Sequence, residues 1–161
     1  MLCPLPLYRC MFPANPGRDV LVRVMRMPLD FRVKDIFFRL QTGALPVRAW
    51  LRSRGFWIPF NNDNCKLCPE EETLEHYFLS CRDATCFWDA FQQAFNKGVY
   101  LCPRAIRFLP VVPNAELPWD VLILLGLYAL WVARQTRDRN DPPVGSWPVF
   151  RRYCIRCWTL C

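Results

Sequence analysis

The stretch NCKLCPEEETLEHYFLSC, residues 64–81, holds three cysteines and the only histidine of a 161-residue chain. Its spacing is C-x2-C-x7-H-x4-C, through Cys65, Cys68, His76 and Cys81. Two residues between the first pair allow a tight turn that aims both thiolates at one ion. Thr73 is placed to cap a helix that carries His76 and ends near Cys81. A helical histidine and a cysteine five positions on converge if that helix frays or kinks at its end. Four nitrogen and sulfur donors are the set that zinc takes in closed, tetrahedral, structural sites. Three thiolates and a neutral imidazole around Zn2+ leave a net negative charge, which Lys66 or Arg82 stands near enough in sequence to balance. The competing reading makes these ordinary buried cysteines and a helix histidine. With ten cysteines in the chain a C-x2-C pair arises by chance, and Cys154-x2-Cys157 reads as one. The sole histidine inside the right window, with a cysteine after it, favours zinc. Cys86, one helical turn past Cys81, is a rival ligand.

Around this stretch the charge is uneven. The chain carries a formal +7, but residues 9–54 hold ten Arg/Lys against three acids, whereas residues 63–89 hold seven acids against two bases. A basic surface therefore precedes the cysteine cluster, and the cluster's own acidic loop is a poor surface for phosphates. The scattered cysteines do not form a secreted disulfide pattern, and prolines interrupt any signal-peptide core near the start. An intracellular setting, nucleus or cytoplasm, with metal-bound or free thiols, is the expectation. The longest apolar run, residues 121–133, is thirteen residues. A membrane span needs roughly 20, so it reads as a buried core helix, and no membrane partner is expected.

The pattern elsewhere is mostly helical. Residues 1–17 contain four prolines and no period, and read as an irregular leader. A helix is expected from Asp30, its N-cap, to Gln41, with Val33, Ile36, Phe37 and Leu40 on its apolar side and Gly43 as a left-handed C-cap. A second follows Pro46, with Val47, Trp50 and Leu51 inward, Arg48 and Arg52 outward, and Gly55 closing it. Asp83 is placed to cap a helix bearing Phe87, Trp88, Phe91, Ala94 and Phe95, ended by Gly98. RAIRFLPVVP, residues 104–113, reads as extended. Pro118 starts the hydrophobic helix, which turns polar at residues 134–140 and stops before Pro142 and Pro143. The fold expected is a small, mainly α domain over residues 18–138, organised around a Cys3His zinc knuckle, with an irregular tail over 139–161.

The ligand order, with Glu72, Thr73, Glu75 and His76 forming ET-x-EH and FLSC after it, resembles the zinc-binding segment that follows the reverse transcriptase domain of non-LTR retrotransposons. RLQTGALPVRAWLRSRGF upstream and CRDATCFWDAFQQAF downstream look like that segment's flanks, and IRFLPV and LLGLYALWVARQ are similar to arthropod elements, tick transposon proteins in particular. The likeness covers about residues 30–138. It departs from gag-type knuckles, which place four residues between the second cysteine and the histidine. The resemblance implies a piece from the 3′ part of a polyprotein that copies its RNA into DNA, and a module that helps engage template RNA or target DNA. No adjacent Asp-Asp occurs in the chain, and its one histidine is claimed by the metal, so no catalysis of its own is expected.

Two functions compete. In the first, Arg39, Arg48, Arg52 and Arg54 neutralise phosphates and Trp57, with Trp50 and Phe56, stacks on unpaired bases. The bland counterpart is a solvated arginine face beside core aromatics. In the second, zinc clamps a helical cap onto the polymerase domain of the same element, without touching nucleic acid. A zinc deaminase is disfavoured, since it needs a glutamate two residues after the histidine, where Phe78 stands, and a proline before the cysteine pair, where Pro69 follows it.

Overall fold

The computed structural model of the chain describes residues 17–58, 62–95, 101–109, 118–138 and 145–159. Among the described residues the fold is mainly helical, in the order α1 (Gly17–Arg26), α2 (Phe31–Thr42), α3 (Arg48–Ser53), a single π-helical turn (His76–Ser80), α4 (Arg82–Ala94), α5 (Pro103–Phe108), α6 (Trp119–Asp138) and α7 (Ser146–Thr159). One antiparallel bridge, Asn64 to Glu71, closes the loop that carries the first two cysteines.

The hydrophobic run forms the central helix. Every residue from Leu122 to Leu130 on α6 is buried, apart from no side chain at Gly126 to bury, because α2, α5 and α7 pack around it. Gly126 lets a further helix, α4, approach α6. A Cβ there would meet the Trp88 ring at 2.7 and 2.9 Å and Phe87 at 3.1 Å. The indole is itself fixed, since Trp88 Nε1 donates to Phe78 O at 2.7 Å, so α4 joins α6 to the turn that carries His76. Among the described residues no helix is long and apolar enough to cross a membrane.

The ends of α2 are formed by local chemistry. Asp30 accepts from the Arg32 amide at 2.8 Å, and Gly43 adopts φ 63°, its N–H closing on the last carbonyls. Val33, Ile36, Phe37 and Leu40 are buried as their spacing requires. Helix α3 follows Pro46 and Val47, and Gly55 beyond it has φ 73°.

Four sequence expectations are corrected. Residues Pro103–Phe108 are helical rather than extended: Pro103 sits in the first turn, and Cys102 Sγ accepts from the Ala105 amide at 3.4 Å. Two reciprocal bonds hold this short helix on α2, Gln41 Nε2 donating to Arg107 O at 3.0 Å and Arg107 Nη1 to Leu40 O at 2.9 Å. The tail is not irregular throughout, because Ser146–Thr159 is a helix with Val149 and Phe150 buried in the core it shares with α6. Asp83 is not the cap of α4; Cys81 takes that place, and Asp83 accepts instead from Ser146 Oγ at 3.0 Å, tying α4 to the start of α7. Ala94, expected on the apolar stripe, is exposed. Helix α1 had no counterpart in the sequence reading. Val20, Val24 and Met27 enter the core there, and Arg23 pairs with Asp120 at 3.2 Å while donating to the carbonyls of Phe108 and Leu109. Residues 1–16, most of the expected leader, and Gly98 lie outside the described residues.

Candidate metal centre and the adjoining arginine helix

The backbone brings the four ligand candidates to one point. Residues five apart on an α-helix point about 140° away from each other, which would separate His76 from Cys81. The chain widens here into a π turn, with the Cys81 amide donating to His76 O at 2.7 Å, and this i→i+5 bond returns both residues to one face. Thr73 Oγ1 accepts from the His76 amide at 3.1 Å, as its place in the sequence suggests. On the other side, the Cys65 amide donates to Glu70 O at 2.7 Å and the Leu67 amide to Cys65 Sγ at 3.4 Å, folding residues 65–68 into a turn.

The donor atoms of Cys65, Cys68, His76 and Cys81 all lie within 4.8 Å of one another. Cys65 and Cys81 sulfurs are 3.8 Å apart and Cys68 and Cys81 sulfurs 3.9 Å. Bond lengths of about 2.3 Å in a tetrahedron separate neighbouring sulfurs by about 3.8 Å, so these spacings fit a zinc-sized ion. Cys68 Sγ and His76 Nε2 are closer, at 3.0 Å. His76 Nδ1 lies 2.9 Å from Glu70 Oε2. A carboxylate there selects the tautomer with its hydrogen on Nδ1, leaving the Nε2 lone pair facing the thiols. Cys86 is exposed on α4 and does not join the group.

To the cations near in sequence the structure adds a buried one. Lys66 and Arg82 are exposed. The cation against the site is Arg134 of α6, 4% exposed, with Nη1 3.9 Å from Cys65 Sγ and 3.5 Å from Glu72 Oε2, and the guanidinium carbon 3.8 Å over the Tyr77 ring. Burial opposes its charge, but Tyr77, Cys81, Cys65 and Glu72 outweigh that and hold its pKa above the ordinary value. Burial pushes the Cys65 thiol up to about 12, with Cys81 and Cys68 adding to the rise and the Leu67 amide and Arg134 opposing it. A metal ion must therefore displace a proton from that sulfur.

The sequence reading assigned no role to Glu70, Glu72 or Arg134. Glu70 was legible only as one acid among four. Arg134 had a signal: it falls four residues after Leu130 and seven after Leu127, on the buried side of α6.

The expected nucleic-acid residues separate into two groups. Arg39 stands on α2, ion-paired with Asp35 at 2.8 Å. Arg48, Arg52 and Arg54 belong to α3 and its end, which is bound to the metal lobe through several bonds. The Arg48 amide donates to Glu72 Oε1 and the Ala49 amide to Glu72 O; Arg48 Nη1 donates to Asn62 O, and Arg52 pairs with Asp63 at 2.7 Å. Arg54 has no carboxylate partner among the described residues; its guanidinium lies 5.7 Å from the centre of the Trp50 ring. Trp50 stacks on Phe56, and Trp57 is 85% exposed. Trp57 is thus a surface residue and not core.

Three cysteines and a histidine gathered at metal-ligand spacing in a helical module form a cluster that could hold a metal ion, and this donor set is one that zinc takes. The family described as zinc-binding in reverse transcriptase matches residues 6–88, just over half of the chain, and this chain belongs to it. The match begins inside the stretch read as a leader and ends within α4, so α5, α6 and α7 lie beyond it. No curated protein and no solved structure matches.

Proposed function

We propose that this chain is the zinc-loaded, nucleic-acid-binding accessory module of a non-LTR retrotransposon polyprotein, one that helps engage template RNA or target DNA and has no catalytic residues of its own. The observation that carries the reading is the coupling of α3 to the metal lobe. Cys65, Cys68, His76 and Cys81 would hold Zn2+, and the ion would supply structural order, its four positions filled by protein. Glu72 and Asp63, within or beside that lobe, receive the amides and the Arg52 side chain of α3. The lobe thereby fixes a strip on which Arg54, Phe56 and Trp57 face solvent. Arginine beside exposed aromatics suits single-stranded nucleic acid, where each stacked base contributes about 1–3 kcal/mol.

The alternative is a cap on the polymerase domain that does not contact nucleic acid. The intramolecular pairing of Arg39 and Arg52 favours it, since phosphates would have to compete with Asp35 and Asp63. Titration of labelled RNA and single-stranded DNA with the zinc-loaded chain, at several salt concentrations, separates the two. The proposal expects affinity that falls with salt and drops about 5-fold to 100-fold in Trp57→Ala with Arg54→Ala, while metal content is unchanged. A folded, zinc-loaded chain that binds neither nucleic acid at low salt leaves the cap reading standing.

A further inference from the structure

We infer that Arg134 is a positioning residue of the metal centre, a buried fixed charge that sets metal affinity and couples metal loading to the seating of the C-terminal end of α6 on the lobe. The inference rests on the reading that the cysteine–histidine cluster holds zinc.

Arg134 is buried deep in the interior, yet two of its nitrogens, Nε and Nη2, have no hydrogen-bond partner among the described residues. Its third, Nη1, faces Cys65 Sγ at 3.9 Å and Glu72 Oε2 at 3.5 Å, long for strong bonds. A guanidinium so placed is poorly compensated by hydrogen bonding and depends on nearby charge. Burying a cation costs several kcal/mol unless anions face it. The groups that face it directly are Glu72, the Tyr77 ring and the Cys65 sulfur. With the metal bound, three thiolates and a divalent cation leave one negative charge a few ångströms from the guanidinium. Arg134 then balances the centre from inside the protein, where the lower dielectric makes its charge count for more than an exposed one.

The geometry makes this coupling long-range in the chain. Cys65 and Arg134 are 69 residues apart, and Arg134 stands on the helix whose preceding two turns form the middle of the hydrophobic core. Loss of the metal removes the negative charge that favours this end of α6 against the lobe. The same guanidinium touches Glu72, which holds the start of α3. Arg134 therefore links the metal, the core helix and the arginine strip.

The test uses the full chain, with Arg134→Gln removing the charge and Arg134→Lys keeping it. Zinc affinity is read by competition against a chromogenic chelator, and the ligand set by the absorption of the cobalt-substituted protein. The expected result is a 10- to 100-fold loss of zinc affinity in Arg134→Gln, with the thiolate-to-cobalt band retained, and recovery to within about threefold in Arg134→Lys. The rise in unfolding temperature on adding zinc should shrink in Arg134→Gln relative to the wild type. Equal zinc affinity in the Gln, Lys and wild-type chains overturns the inference. If Arg134→Gln does not fold, Arg134→Lys decides: restored folding and affinity support a charge role, and failure to restore either overturns it. A wild-type chain that binds no zinc refutes the metal reading itself and is a separate outcome.

Discussion

The lobe of residues 64–81 and the middle of α6, residues 122–130, hold their shape by different means. In the α6 segment, side chain after side chain is aliphatic or small and buried on all sides, so burial of apolar area orders it. The lobe buries Tyr77 and Phe78 as its large apolar side chains, beside Cys65, Cys81, His76 and Glu72, and is built of a loop with one bridge and a π turn. Polar contacts tie it to its neighbours, through Glu72 to α3, Phe78 O to Trp88 and Cys65 to Arg134, and its ligands are the natural cross-link within it. A small irregular segment cannot bury enough surface to offset the entropy of ordering its backbone. A metal held by the four side chains would supply that stabilisation.

The largest effect should come from breaking the lobe alone. Cys81→Ser, or chelation of the wild type, is expected to abolish stoichiometric metal binding and to remove hydrogen-exchange protection across residues 64–81, while residues 122–130 stay protected. Loss of protection in both regions together would show that they form one cooperative unit. Acid should act in the same direction. The metal-free Cys65 thiol, raised from 9.0 to about 12, favours the neutral form, so its contribution to stability is present below about pH 9 and is lost as pH rises towards 12. Metal binding reverses the sign, since it expels that proton; affinity measured between pH 8 and pH 6 should fall by at least about tenfold per pH unit.

Next in size is a break in the core. Leu124→Ala at a fully buried position should lower stability by about 2–5 kcal/mol, seen as a shift in the urea midpoint, with the cobalt spectrum of the metal site unchanged. The smallest effect sharpens the contact between the regions. Gly126→Ala gains about 1 kcal/mol of helix propensity, but its methyl group would press on a Trp88 ring that Phe78 O holds in place. A net loss of about 1–2 kcal/mol by denaturant unfolding is expected. A net gain would mean that the indole can retreat, and that the lobe and core are less tightly joined.

Local chemistry was legible where neighbours in sequence act on one another. Asp30 and Gly43 mark the ends of α2 because a cap needs only the adjacent backbone, and the ligand set shows itself because a metal imposes spacing. Helix α5 was not legible: six residues flanked by prolines carry little period, and Gln41 and Arg107 hold it from across the fold. Helix α7 was obscured by Pro148 in its first turn and by three arginines among its apolar residues. Trp57 read as either core or surface, and packing left it outside.

The sequence by itself determined a mainly helical chain, a Cys3His cluster at metal spacing, and a basic segment ahead of an acidic one, because periodicity, capping and ligand spacing are properties of neighbouring residues. Only the tertiary structure decided that the helix after His76 widens into a π turn, that Glu70 orients the imidazole, and that Arg134, 69 residues from Cys65, faces the thiols. A buried charge takes whatever partner packing brings to it, and packing is set by the whole core.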